Sequence, residues 1–262
     1  MNKIIAILAL AACSVCGCKS GSDNNTVSES LQSQSTYAVV VGMENSDSFG
    51  ECPGADYDAK RMYNVLSMYT KNVVLLTDKN ATYNAVTSAM KNGIANGDLF
   101  ILYYSGHGGS EPFSDTGIEE EDGKDEFLCL NDTFLRDNDI WNIIRNSKGR
   151  VMLIVDACHS KTIMRSPICF DLERFKCSSL QATSDETLGV NLQCWSGCPD
   201  DTYSYGSSNG GKMTNTILKY FNNNETYDSL WNKVESDTTL QKYEYVQRTR
   251  SGFGFDNVKV FR

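Results

Sequence analysis

Short runs of uninterrupted apolar residues punctuate this chain, and between them apolar positions return at helical spacing. Runs of four to seven residues without polar alternation are too short for helices and read as strands buried on both faces of a parallel sheet. They predict strands over residues 36–42, 73–77 and 150–155, and one in the run that starts at Leu99 and ends in His107 within 99–109, each rich in Val, Ile, Leu or Tyr. After Gly54, the positions Ala55, Ala59, Met62, Tyr63, Leu66 and Tyr69 predict a helix with one packed face. A second helix is marked by Ala81, Ala85, Val86, Ala89 and Met90, with its end expected near Gly93. Alternation of strand and helix implies parallel crossovers and a sheet with helices on both faces. Further on, the pattern predicts a short strand over 127–130, helices over 139–145, 213–221 and 227–234, a strand over 189–194, a polar and hairpin-like stretch over 241–250, and a last strand over 258–261.

Composition narrows the setting. An apolar fraction of 40% across 262 residues is ample for one sizeable core, and neither an internal repeat nor an interior linker divides it. A net charge of −9 argues against a nucleic-acid partner, because nothing here neutralises a row of phosphates, whereas an acidic surface suits basic substrates. Lys3 followed by the apolar run 4–12 and then small residues has the layout of an export signal, too short to span a bilayer as a mature helix. Cys13 and Cys18 each end a segment like a bacterial lipoprotein processing site. The expected organisation is therefore a lipoprotein-type signal peptide over 1–18, a polar flexible tether over 19–35 and one domain over 36–262. That organisation implies an exported protein, held at a membrane by an N-terminal lipid and facing the periplasm or the cell surface. Of the ten cysteines, seven lie beyond the signal, an odd number that leaves one thiol over. Cys169, Cys177, Cys194 and Cys198 are candidates for disulfides whose pairing the sequence does not assign.

The chemistry concentrates at two strand ends. In a parallel α/β sheet, ligands bind beyond the carboxyl ends of the strands, which is where the run from Leu99 delivers His107 and the 150–155 run delivers Cys158. A thiol at its free pKa is only slightly ionised at neutral pH, so a nucleophilic Cys needs a nearby base. The chain has two histidines. His159 adjoins Cys158 and points the other way along an extended segment, which leaves His107 as the base. Gly106 and Gly108 allow close backbone approach, and the Gly108 and Cys158 amides are candidates for stabilising an oxyanion.

Two blocks, Tyr104-Ser105-Gly106-His107-Gly108 and Asp156-Ala157-Cys158-His159-Ser160, resemble the signature blocks of metacaspases, the caspase-like cysteine peptidases of bacteria, plants, fungi and protists. The separation of His from Cys, 158 − 107 = 51 residues, suits the family, and Gly54-Ala-Asp-Tyr-Asp58-Ala59 looks like its first-helix block, with Ala55 standing where the family usually has cysteine. The resemblance spans the chain from Tyr37 onward. It implies a caspase-like three-layer α/β/α sandwich around a central, mostly parallel sheet of about six strands. It further implies a cysteine endopeptidase with a Cys158/His107 dyad, whose pocket for the substrate's P1 side chain is lined by Asp58, Ser105 and Asp156. Two carboxylates in one pocket repel each other and are relieved by a bound cation, so cleavage after Arg or Lys is expected.

The chemistry requires no cofactor. Many metacaspases need calcium, and Asp125, Asp137 and Asp139 resemble part of a ligand set, although the sequence shows no full one. Lys161, Arg165, Arg174 and Lys176 follow the nucleophile and make self-cleavage conceivable. Two other readings stay open: a clostripain- or gingipain-like peptidase of the same fold, and a catalytically silent caspase-fold lipoprotein that acts as an interaction module.

Overall fold

The computed structural model describes residues 35–47, 49–112, 124–157, 190–197, 207–242, 246–252, 254–255 and 257–262. Its centre is a six-stranded sheet. In chain order the strands of the protein are β1 (Thr36–Gly42), the two-residue β2 (Asn45–Ser46) and β3 (Gly50–Glu51), β4 (Asn72–Thr77), β5 (Leu99–Ser105), β6 (Gly108–Pro112), β7 (Lys124–Cys129), β8 (Phe134–Arg136), β9 (Arg150–Asp156), β10 (Asn191–Ser196) and β11 (Gln247–Ser251). Among the described residues the helices are α1 (Ala55–Leu66), α2 (Tyr83–Asn96), α3 (Asp137–Ile144), α4 (Lys212–Tyr220) and α5 (Tyr227–Glu235). The central sheet runs β11-β10-β9-β5-β1-β4, with every pairing parallel except the antiparallel β11 at one edge.

Strict alternation explains the apolar runs. Val39, Val41, Phe100, Leu102, Tyr104, Val151, Leu153 and Val155 pack on one face with Val86 and Met90 of α2 and with Ile140, Trp141 and Ile144 of α3. Ala38, Val40, Ile101, Tyr103, Met152 and Ile154 pack on the other with Ala59 and Met62 of α1, Met213 and Ile217 of α4, and Leu230 and Trp231 of α5. Both faces are dry, so neither can carry a polar alternation. The edge strand β11 is polar, and Arg250 reaches Asp228 at 3.3 Å alongside an Arg248–Asp228 pair, which sets charge on an otherwise open ladder.

Several boundaries differ from expectation. Helix α2 does not end near Gly93 but runs on to Asn96. Gly93 is a packing glycine, since a Cβ there would lie 2.5 Å from the Phe100 ring. Residues 258–261 form no strand, and only Lys259 makes a single bridge, to Thr226. Phe261 has φ of 63° and its N–H donates to Tyr227 Oη at 3.0 Å, so the apolar alternation there serves a plug against α5. The sixth strand is instead β11, within the stretch read as hairpin-like. The strand expected at 189–194 lies two residues later, and α3 starts two residues earlier than its apolar pattern, where Asp139 accepts from Arg136 N at 3.3 Å. The strand expected at 127–130 is the middle of a separate antiparallel sheet, β6-β7-β8. No helix among the described residues is long and apolar enough to cross a membrane.

Candidate active site

Strand register brings three sequence-distant residues to one row. Gly42 pairs with Ser105, and Ser105 pairs with Asp156, so the ends of β1, β5 and β9 are level at the carboxyl edge of the sheet. Gly106 and His107 form the two-residue turn between β5 and β6, which begins at Gly108. Gly106 makes this tight exit feasible, because a Cβ there would lie 2.7 Å from Tyr104 Oη and 2.8 Å from Met43 Cβ.

The His107 backbone is clamped. Its carbonyl accepts from Cys129 N at 3.0 Å and lies 2.7 Å from Tyr104 Oη. Its ring Nε2 lies 2.9 Å from the Glu51 carbonyl oxygen. A carbonyl only accepts, so Nε2 carries the proton in this contact, and Nδ1 of the neutral ring keeps a lone pair. Glu51 is held in turn by the β2–β3 hairpin, which Asp78 fastens by accepting from Glu44 N at 3.0 Å and Asn45 N at 2.8 Å. None of these positioning groups was apparent from the sequence, because a backbone carbonyl on a two-residue strand leaves no pattern.

The three residues expected to line the P1 pocket meet. Asp58, on the first turns of α1, is wholly buried, and its Oδ2 accepts from Ser105 Oγ at 3.3 Å and from Gly211 N at 2.6 Å. Its carboxylate therefore does not cap its own helix, whose N-cap is Gly54 without a side-chain bond. Asp156 Oδ2 accepts from Thr214 N at 2.9 Å and Thr214 Oγ1 at 2.6 Å, at the first turn of α4. With the Thr214 proton so committed, Tyr103 Oη donates to Thr214 Oγ1 across 2.7 Å. Gly210 and Gly211 lie against both acids: a Cβ at 210 would lie 2.0 Å from Asp58 Oδ1, and one at 211 would lie 2.3 Å from Asp156 Oδ2. Burial, then the charge of Asp156, push the Asp58 carboxyl up from 3.8 to about 6, against the opposing pull of the Gly211 N–H and the Arg61 guanidinium. Thr214, Gly210, Gly211 and Arg61 were not anticipated, since the loop before α4 has no apolar period to place it.

Gly108 stands at the head of β6, paired with Leu128. Cys158 lies outside the described residues, as do His159, Ser160, the segment carrying Lys161, Arg165, Arg174 and Lys176, the cysteines Cys169, Cys177 and Cys198, and the whole region 1–34. Of the carboxylates resembling calcium ligands, Asp137 Oδ1 accepts from Asn138 N at 2.6 Å and Asp139 serves the α3 N-terminus, while the side chain of Asp125 lies outside the described residues. Among the described residues, no group of three or more His, Cys, Asp or Glu side chains is placed to hold a metal ion.

The protein is thus an α/β sheet protein with a histidine just past one strand end, a buried acid at the neighbouring end and a second buried acid on α1 beside them. Residues 35–251 match the caspase domain, and the chain belongs to that family. It is 29% identical over 237 residues to metacaspase-2 of Arabidopsis thaliana, covering 76% of this chain and 55% of the relative. It is 25% identical over 225 residues to metacaspase-1A of Aspergillus oryzae, covering 77% of this chain and 50% of the relative. The chain thus spans about half the length of the curated relatives it matches. Among solved structures, caspase-1 of Spodoptera frugiperda superposes with a TM-score of 0.57 at 12% identity over 83% of this chain and 87% of that one. A Geobacter sulfurreducens protein reaches 0.65 at 21% identity over 87% and 98%. The protein carries a metacaspase-like peptidase domain with the six-stranded caspase fold.

Proposed function

We propose that the protein is a cysteine endopeptidase that cleaves after Arg or Lys. In this reading His107 Nδ1 takes the Cys158 thiol proton, and the thiolate attacks the scissile carbonyl. The Gly108 and Cys158 amides receive the oxyanion, His107 returns its proton to the leaving amine, and water hydrolyses the thioester. The observation that supports the specificity is the buried meeting of Asp58, from α1, with Ser105 and Asp156 at the level ends of β5 and β9, next to the His107 turn. Two acids brought together at the edge of an α/β sheet favour a cationic side chain over a carboxylate. We further propose export through the N-terminal segment with attachment to a membrane by a lipidated Cys18 or Cys13, and self-cleavage in the segment after Cys158. A calcium requirement would need ligands from beyond the described residues, and no step is routed through it.

The test is turnover of matched fluorogenic peptides ending in Arg, Lys or Asp. Cleavage of the Arg and Lys peptides that is absent in Cys158→Ala is expected, and dominant cleavage after Asp would overturn the pocket assignment. A folded wild type that cuts none of the three would favour the silent interaction module.

The raised Asp58 carboxyl sets a pH signature. Above about pH 6 Asp58 is ionised, and below it the carboxyl takes a proton and the cluster loses one negative charge. Asp156 and Arg61 are the charged groups facing it, with Tyr103 nearby as a buried phenol pushed well above its ordinary value. Affinity for agmatine, an arginine lacking its carboxylate, should therefore weaken about three- to tenfold as pH falls from about 7.5 to 5. Equilibrium binding by calorimetry reads this without involving the His107 chemistry, and a flat profile would count against Asp58 as a recognition group.

A further inference from the structure

Arg61 lies three residues beyond Asp58 on the same side of α1, and its Nη2 contacts Asp58 Oδ1 directly. The Asp58 side chain is 0% exposed and that of Arg61 is 25% exposed, so the guanidinium stands between solvent and the buried acid. Its carbon sits 4.4 Å from the centroid of the half-exposed Tyr57 ring, a cation–π seat on the outside of the helix. The same Nη2 would be 2.7 Å from a Cβ at Gly210, so it also borders the glycine pair that covers the acids. The fork is poorly used among the described residues: the contact engages one terminal nitrogen, and the buried Nε has no hydrogen-bond partner there. A guanidinium with a full bidentate partner would be hard to displace, and this one is not so held.

Arg61 therefore places a positive charge directly on one of the two acids that the pocket reading assigns to the substrate's cation. We infer that Arg61 is a specificity-determining residue, a resident counter-cation that competes with the substrate's guanidinium or ammonium group for Asp58 and sets how tightly the site binds a basic side chain. This rests on the proposed reading of Asp58 and Asp156 as the P1 pocket. Nothing in the apolar pattern distinguishes Arg61 from a solvated helix position. Only the proximity of its fork to a buried acid does.

The experiment measures agmatine binding by calorimetry, and KM and kcat on an Arg-terminated peptide, for the full-length wild type, Arg61→Gln and Arg61→Lys. Arg61→Gln should bind agmatine about tenfold more tightly, equivalent to roughly 1.4 kcal/mol, with the gain appearing in KM rather than kcat. Arg61→Lys, which keeps the charge, should stay close to wild type. If Arg61→Gln does not fold, Arg61→Met retains the aliphatic stem beside Tyr57 and carries the same expectation. Equal or weaker agmatine binding by the folded neutral variant overturns the inference while leaving the pocket reading intact. Absence of agmatine binding by both wild type and variant overturns the pocket reading and the inference with it.

Discussion

His107→Ala and Cys158→Ala should each reduce hydrolysis of an Arg-terminated peptide by roughly 10³-fold or more, and the double variant should fall no further than the weaker single one. In the proposed mechanism the two groups act as one unit. A thiol near neutral pH supplies few thiolates unless a base removes its proton, and the same base must later protonate the leaving amine. The contact of Nε2 with the Glu51 carbonyl holds the imidazole in the tautomer whose Nδ1 is the acceptor, so His107→Gln, which offers an amide and no basic nitrogen, should be as inactive as His107→Ala. Initial rates with active-site titration read the effect. A His107→Ala protein that retains more than about a tenth of wild-type turnover would remove His107 from the role of base.

Asp156→Ala should lose both basic-substrate hydrolysis and fold stability, whereas Asp156→Asn should separate the two. The Asp156 carboxylate accepts from Thr214 N and Thr214 Oγ1 inside a dry cluster, so truncation leaves buried donors at the start of α4 without an acceptor. Each such donor costs about 1–3 kcal/mol, for a total near 2–6 kcal/mol, and in a domain of this size that lowers Tm by on the order of 5–20 °C. Asparagine keeps an acceptor oxygen and should recover most of that loss. It removes the charge, however, and kcat/KM for Arg and Lys peptides should remain about 10²-fold or more below wild type, the scale of a buried charge partner lost. Thermal melts and kinetics on the two variants are sufficient. Retention of Arg cleavage by Asp156→Asn would reassign Asp156 to the structural support of α4.

Much of the sheet was readable because a strand dry on both faces must be apolar at every position. β1 and β9 came out at or within one residue of their observed limits for that reason, and β5 begins at the Leu99 where its run begins. The reading weakened wherever pairing or plugging replaced burial as the organising force. β6, with the sequence Gly-Gly-Ser-Glu-Pro, exists because β7 offers a ladder, not because its residues favour a strand. Residues 258–261 alternate like a strand yet fold against α5, because the buried aromatic surface around Tyr227 was a better partner than a sheet edge. Gly93 looked like a helix end and proved to be a point of contact with Phe100.

The site divides along the same line. His107 was singled out from local order, since it closely follows an apolar run, whereas Ser105, Asp156 and Asp58 were named only through the resemblance of their blocks to metacaspases. Tertiary structure decided what those residues touch. Register made Ser105 and Asp156 neighbours, α1 brought Asp58 to them from 47 positions away from Ser105, and the loop before α4 laid Gly211 and Thr214 against the two acids. Hydrophobic patterning acts through neighbours along the chain and is written into the order of residues. The pairing of buried polar groups depends on which donors arrive from elsewhere, and only the packed molecule determines that.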